Sequence, residues 1–98
     1  MSKDNTECKQ LDFKGCKAWY LKGKAHRTDG PAVEYDNGTK VWYLKGELHR
    51  EDGPALEHSD GSKQWLLNNK EYAKPEYYKE LFHRGLLTEE ELFTELLD

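Results

Sequence analysis

The sequence predicts a mainly β, α+β protein: an antiparallel β-hairpin repeat meander closed by an α-helical C-terminal cap. Three observations carry that prediction. Tryptophans recur every 23 residues, at Trp19, Trp42 and Trp65. A glycine stands at the same offset before each, at Gly15, Gly38 and Gly61. After residue 73 the apolar spacing changes from short β-favouring runs to a helical stripe.

The chain divides accordingly into a flexible N-terminus at 1–10, hairpin repeats at 11–73 and a helical cap at 74–98. Met1 to Lys9 is polar and charged, which does not suit a signal peptide. No apolar run is long enough for a membrane span.

Each repeat combines two shared blocks. Lys17-Ala18-Trp19-Tyr20-Leu21-Lys22-Gly23 matches Lys40-Val41-Trp42-Tyr43-Leu44-Lys45-Gly46 and, more loosely, Lys63-Gln64-Trp65-Leu66-Leu67-Asn68-Asn69. Between tryptophans, His26-Arg27-Thr28-Asp29-Gly30-Pro31-Ala32-Val33-Glu34 matches His49-Arg50-Glu51-Asp52-Gly53-Pro54-Ala55-Leu56-Glu57. The array holds two complete units and a partial third. Asp36-Asn37-Gly38 and Ser59-Asp60-Gly61 carry the chemistry of primed tight turns. Lys22-Gly23, Lys45-Gly46 and Asn68-Asn69 are placed to make the return turns. Pro31 and Pro54 cannot donate to a ladder, so each Asp-Gly-Pro is a bend or bulge.

Large aromatic and aliphatic residues dominate burial, so the repeat core is assigned to Trp19, Trp42, Trp65, Leu21, Leu44 and Leu67, with the indoles in a shared ladder. Tyr20 and Tyr43 stand in the opposite strand phase. With Lys17, Lys40 and Lys63 they are candidates for an exposed recognition face.

In the cap, Tyr77, Tyr78, Leu81 and Phe82 lie on one helix face between Lys74 and Arg84. Pro75 suits the first turn and Gly85 the stop. Thr88 to Glu91 has capping-box spacing for a second helix with Leu92, Phe93, Leu96 and Leu97 on its apolar side. This pair either covers the last hairpin, as arrays require, or docks on a partner or a second copy.

The net charge of −4 and the lack of a Lys/Arg cluster argue against nucleic acid as a general ligand. Cys8 and Cys16 have no CxxC spacing and read as reduced thiols of a cytoplasmic protein. His26, His49, His58 and His83 with the two cysteines match no usual zinc spacing, so no metal or other cofactor is expected.

The chemistry-bearing row is His26, Arg27 and Asp29, repeated as His49, Arg50 and Asp52. Arg offers a forked donor to carboxylate or phosphate, and His a titratable ring. The row therefore either binds a nucleotide or phosphorylated metabolite, or builds the bend from which the units stack. A minimal phosphoester hydrolase on the same His and Asp is the least favoured reading.

The aromatic-x-x-x-Gly-x-x-His order, here Trp42-x-x-x-Gly46-x-x-His49 followed by Gly53, resembles MORN-type repeats over roughly residues 13 to 72. Where those repeats have Gly directly after His, this chain has Arg27 and Arg50. It looks like a variant found in short bacterial and bacteriophage proteins. The resemblance implies binding rather than catalysis. It points to a non-enzymatic module docking on a host protein, or self-associating through a sheet edge or the C-terminal helices. The location it implies is the cytoplasm, that of the host if the chain is viral.

Overall fold

The computed structural model describes residues 9–13, as backbone, and residues 15–97. Cys8 and the segment expected to be flexible up to it lie outside the described residues. The fold is mixed α+β, a multi-stranded sheet followed by two C-terminal helices. In chain order the strands are β1 (Lys9–Phe13), β2 (Cys16–Leu21), β3 (Lys24–Ala25), β4 (Val33–Tyr35), β5 (Lys40–Val41), β6 (Tyr43–Leu44), β7 (Glu47–Leu48), β8 (Leu56–Glu57), β9 (Lys63–Leu67) and β10 (Lys70–Tyr72). The helices are α1 (Lys74–His83) and α2 (Glu89–Leu96). Every strand pairing is antiparallel, in the order β1-β2-β4-β5-β8-β9-β10, with β3 added to β2 and β6 paired with β7.

Each tryptophan marks the point where its strand exchanges one partner for another. Cys16 to Ala18 pair with β4, and Tyr20 and Leu21 pair with β3. Between them the Trp19 amide donates to the Ala32 carbonyl at 2.8 Å, and its carbonyl accepts from His26 N–H at 2.9 Å. Trp42 repeats this with Ala55 at 2.8 Å and His49 at 3.2 Å. The return strand is thus interrupted, and His-Arg-x-Asp-Gly-Pro bulges out of the gap. Proline cannot donate to a ladder, so the interruption falls where the sequence places it.

Strand parity assigns the two faces. Ala18, Val33, Val41, Leu56 and Gln64 form one cross-strand row, with Ala18 and Val41 buried. Lys17, Glu34, Lys40, Glu57 and Lys63 form the neighbouring row on the opposite face, alternating in charge across the sheet. Opposite charges directly across a pair are favourable. Trp19 lies two residues from Lys17, so it shares the charged face. This corrects the expected tyrosine–lysine face: lysine and tryptophan go together, and Tyr20 follows Ala18. It also explains why Trp19, Trp42 and Trp65 are half-buried. Among the described residues no two indoles stack on each other. The buried residues of the units are Ala18, His26, Ala32, Val41, His49, Gly53, Ala55, Leu66 and the expected Leu67, while Leu21 and Leu44 are half-buried. Ala32 and Ala55 are fully enclosed where the chain re-enters the sheet.

The turns reverse the expected assignment. At Asp36-Asn37-Gly38 only Gly38 has positive φ, and Tyr35 N–H returns to the Thr39 carbonyl at 2.9 Å. That is the three-residue loop with a glycine bulge, not a two-residue primed turn. The primed geometry lies at Lys22-Gly23 (φ 53° and 81°), Lys45-Gly46 (51° and 84°) and Asn68-Asn69 (51° and 69°). Lysine is strained in this left-handed region, whereas asparagine tolerates it. Lys22→Asn is therefore expected to raise the unfolding free energy by up to about 1 kcal/mol, read from the urea midpoint.

The main apolar core lies at the cap. Leu67, Tyr77, Tyr78 and Leu81 are buried together, with Trp65, Tyr72, Leu87 and Leu92 packed against them. Tyr77 and Tyr78 meet edge to face with centroids 4.8 Å apart. Pro75 sits in the first turn of α1, Gly85 has φ 79° beyond its end, and the capping box of Thr88 and Glu91 is formed. The second helix differs from expectation: Phe93 and Leu97 are 65% and 83% exposed, and no residue of α2 is fully buried. Eight residues cannot turn all their apolar positions onto α1 when Leu92 alone faces the cluster.

Candidate functional site

Arginine organises each of the two bends. Arg27 Nε donates to Asp29 Oδ1 at 2.9 Å, and Nη1 donates to the Pro31 carbonyl at 3.1 Å and to Glu34 Oε2 at 3.3 Å. Its guanidinium lies 3.9 Å from the centre of the Trp19 ring. Arg50 repeats the set with Asp52 (2.9 Å), Pro54 (3.0 Å), Glu57 (3.1 Å) and Trp42 (3.9 Å). Only a planar fork can stack on a ring while bonding in its plane. The hydrogen bond and charge of Arg27 hold Asp29 below the usual carboxylate range.

Histidine joins one unit to the next. The His26 ring is buried, and its Nδ1 accepts the Lys45 amide at 2.9 Å. His49 Nδ1 accepts the Asn68 amide at 3.0 Å, while Nε2 meets Glu51 at 2.8 Å. Both amides belong to the left-handed turn residue of the following unit. Further bonds follow the same direction: Gly46 N–H to Ala25 carbonyl and Asn69 N–H to Leu48 carbonyl, each 2.9 Å. The Asn-Asn turn of the third unit adds Asn68 to Glu47 at 3.0 Å and Arg84 to Asn68 at 2.9 Å, tying it to both the second unit and the cap. His49→Ala removes a buried ring and takes the acceptor from the Asn68 amide, and is expected to cost about 1–3 kcal/mol. His49→Asn, which keeps an acceptor near the Nδ1 position, should recover part of that loss in the same denaturation assay.

The second bend carries a load that the first does not. Tyr77 of α1 is fully buried, and its hydroxyl reaches the Arg50 carbonyl and the Gly53 carbonyl, the latter at 2.9 Å. The Gly53 amide points back at that oxygen at 3.4 Å. Burial pushes the Tyr77 hydroxyl well above the ordinary tyrosine value, so it remains a donor. A side chain at Gly53 would meet the Arg50 guanidinium at 2.9 Å and push it from its contacts with Asp52 and Pro54.

The first bend faces an open groove of about 600 Å³. Its lining is Arg27, Thr28, Asp29 and Gly30 of the first bend, His49 to Asp52 of the second, and Trp42, Leu44 and Leu86. Tyr20 and Tyr43 do not line it. Of the eight candidate binding residues, the structure therefore gathers Arg27, Asp29, His49, Arg50 and Asp52 here, with His26 in the adjoining depression beside Lys45. Among the described residues no three His, Cys, Asp or Glu side chains come together as metal ligands. The site residues that sequence reasoning passes over are Tyr77, Gly53, Glu34 and Glu57. The glutamates are readable as members of the repeat block shared by both full units. The tyrosine reads only as part of a helix stripe, since nothing local signals where its hydroxyl lands.

Scanned against protein-family models, the chain matches none, and comparison with curated proteins and with solved structures likewise yields no match.

Proposed function

We propose that this chain is a non-catalytic protein-binding module of MORN-like repeats, which docks on another protein through the groove over its first bend. The observation that carries the reading is the groove itself: half-buried Trp42 and Leu44 line it together with charged residues of both bends. A half-buried aromatic ringed by polar groups is the composition of a binding hot spot. The commitments of the row support it. Both guanidiniums already hold an aspartate, a carbonyl, a glutamate and an indole. Both histidines already accept an amide. A phosphate would have to displace these contacts, whereas a protein surface can lie on them intact. Among the described residues no helix is long and apolar enough to cross a membrane. The partner we envisage is a soluble protein of the cytoplasm, the host's if the chain is viral.

The test is affinity capture from the native host with the wild-type chain and with Thr28→Trp, which fills the groove from an exposed position. A protein held by the wild type, lost by Thr28→Trp, retained by Lys63→Glu outside the groove, and bound again when purified, supports the reading. Equal capture by the wild type and the Thr28→Trp variant rejects the groove.

A further inference from the structure

The groove has a filled counterpart in the same molecule. Shifting the first-bend part of its lining by one period of 23 residues turns Arg27 into Arg50, Gly30 into Gly53, Trp42 into Trp65 and Leu44 into Leu67, while His49 to Asp52 shift onto Tyr72 to Pro75, where α1 begins. That second set is the seat of α1: Tyr77 bonds the Arg50 and Gly53 carbonyls, and Tyr77, Tyr78 and Leu81 pack with Leu67 and Trp65. The two seats share their backbone pattern. Arg27 N–H donates to the Tyr43 carbonyl at 3.2 Å, as Arg50 N–H donates to Leu66 at 3.3 Å. Ala32 N–H donates to Val41 at 2.8 Å, as Ala55 N–H donates to Gln64 at 2.9 Å. They differ in cover. Gly53 and Leu67 are buried under α1, while Gly30 and Leu44 remain half-buried. Among the described residues no donor of the chain reaches the Arg27 or Gly30 carbonyls.

We propose that the open seat takes an amphipathic helix of a partner protein carrying a tyrosine followed four residues later by a leucine, docked as Tyr77 and Leu81 dock α1. This rests on the protein-binding reading and names the partner's chemistry. The tyrosine hydroxyl donates to the Arg27 and Gly30 carbonyls, and the leucine, one helical turn on, lies against Leu44 and Trp42. In the chain itself Phe93 of α2 and Leu97 at its C-cap have the same spacing, and both are exposed. A phenyl ring has no hydroxyl for those carbonyls, so a second copy is the poorer occupant.

The experiment titrates the isotope-labelled intact chain with a lactam-stapled peptide of residues 73–85, bridged on its solvent side, as the probe helix. Chemical-shift changes are expected at Gly30, Trp42 and Leu44, with a dissociation constant of about 0.1–1 mM. Replacing the peptide's tyrosine at 77 by phenylalanine should weaken binding about five-fold; replacing it by alanine should abolish it. Thr28→Trp should also abolish it with an unchanged circular dichroism spectrum. Absence of shifts at about 2 mM peptide, equal binding of the phenylalanine peptide, or shifts confined to Gly53 and Trp65 through exchange with α1 would each overturn the proposal. So would a concentration-dependent dimer that uses Gly30 and is lost with Phe93→Lys, which would make a second copy the occupant. If the peptide fails while Thr28→Trp still loses a captured partner, the helix chemistry is wrong and the groove stands. If both fail, the binding reading falls with it.

Discussion

Tyr77→Ala is expected to lower the unfolding free energy by about 3–5 kcal/mol, the range for truncating a buried aromatic. Against a total of roughly 5–15 kcal/mol for a domain, that is enough to detach α1 or unfold the chain. The ring is fully buried among Leu67, Tyr78 and Leu81, and its hydroxyl satisfies the second bend. Tyr77→Phe separates the two contributions. It keeps the packing and leaves the Arg50 and Gly53 carbonyls without their donor, at about 1–3 kcal/mol. Amide exchange at Gly53 should accelerate in both variants. A pH dependence follows from the same group. Burial raises the Tyr77 value in the folded chain above the ordinary value of about 10 that it regains on unfolding. Its contribution is therefore complete below about pH 10 and declines as the pH rises further. An alkaline unfolding transition is expected in the wild type, and Tyr77→Phe should lose this component of it. An alkaline profile unchanged by Tyr77→Phe would show that the hydroxyl is not held as described.

Arg50→Ala should be nearly as damaging, at about 3 kcal/mol. The charged hydrogen bond to the Pro54 carbonyl contributes about 1.5–3 kcal/mol. The stacking on Trp42 adds about 0.5–1 kcal/mol at a partly exposed site. The pairs with Asp52 and Glu57 add little, since solvent screens them. Arg50→Lys should recover little, because an ammonium cannot stack and fork at once. Arg27→Ala removes the same contacts from the first bend, which no helix covers, so it should cost about 1 kcal/mol less. The comparison also separates the functional readings. If Arg27→Ala leaves the fold intact yet abolishes binding of a phosphorylated small molecule, the row is a ligand site. If it only destabilises the chain, the arginine is a strut of the bend. Urea denaturation with phosphate or nucleotide present and absent gives both readouts.

Much of this molecule is legible in its spacing. The period of 23 residues locates the hairpins, the bend and the change to helix, and Pro75, Gly85 and Thr88 locate the helix ends. The pairing of Arg27 with Asp29 is readable because the two recur together. The turn types are not, because Asn-Gly and Asp-Gly serve both a primed turn and a type I turn with a glycine bulge. Loop length decides between them, and that depends on where the strands pair. Burial by residue type misplaces the indoles. Tryptophan is large and apolar, yet Trp19 and Trp42 share a face with lysine and are covered by arginine, and Trp65 alone packs against the cap core.

Local rules, acting within one hairpin, suffice for breaks, caps and strand phase, and those the chain carries in its own residue order. Contacts that join groups separated by nearly a full period or more are settled only on folding. The buried histidines accept amides 19 residues away, and Tyr77 reaches a bend 24 residues before it. No local preference encodes such distances, because their geometry depends on how each unit twists onto the last. For the same reason two copies of one bend, alike in sequence, differ in the structure: one lies beneath a helix and the other opens onto a groove.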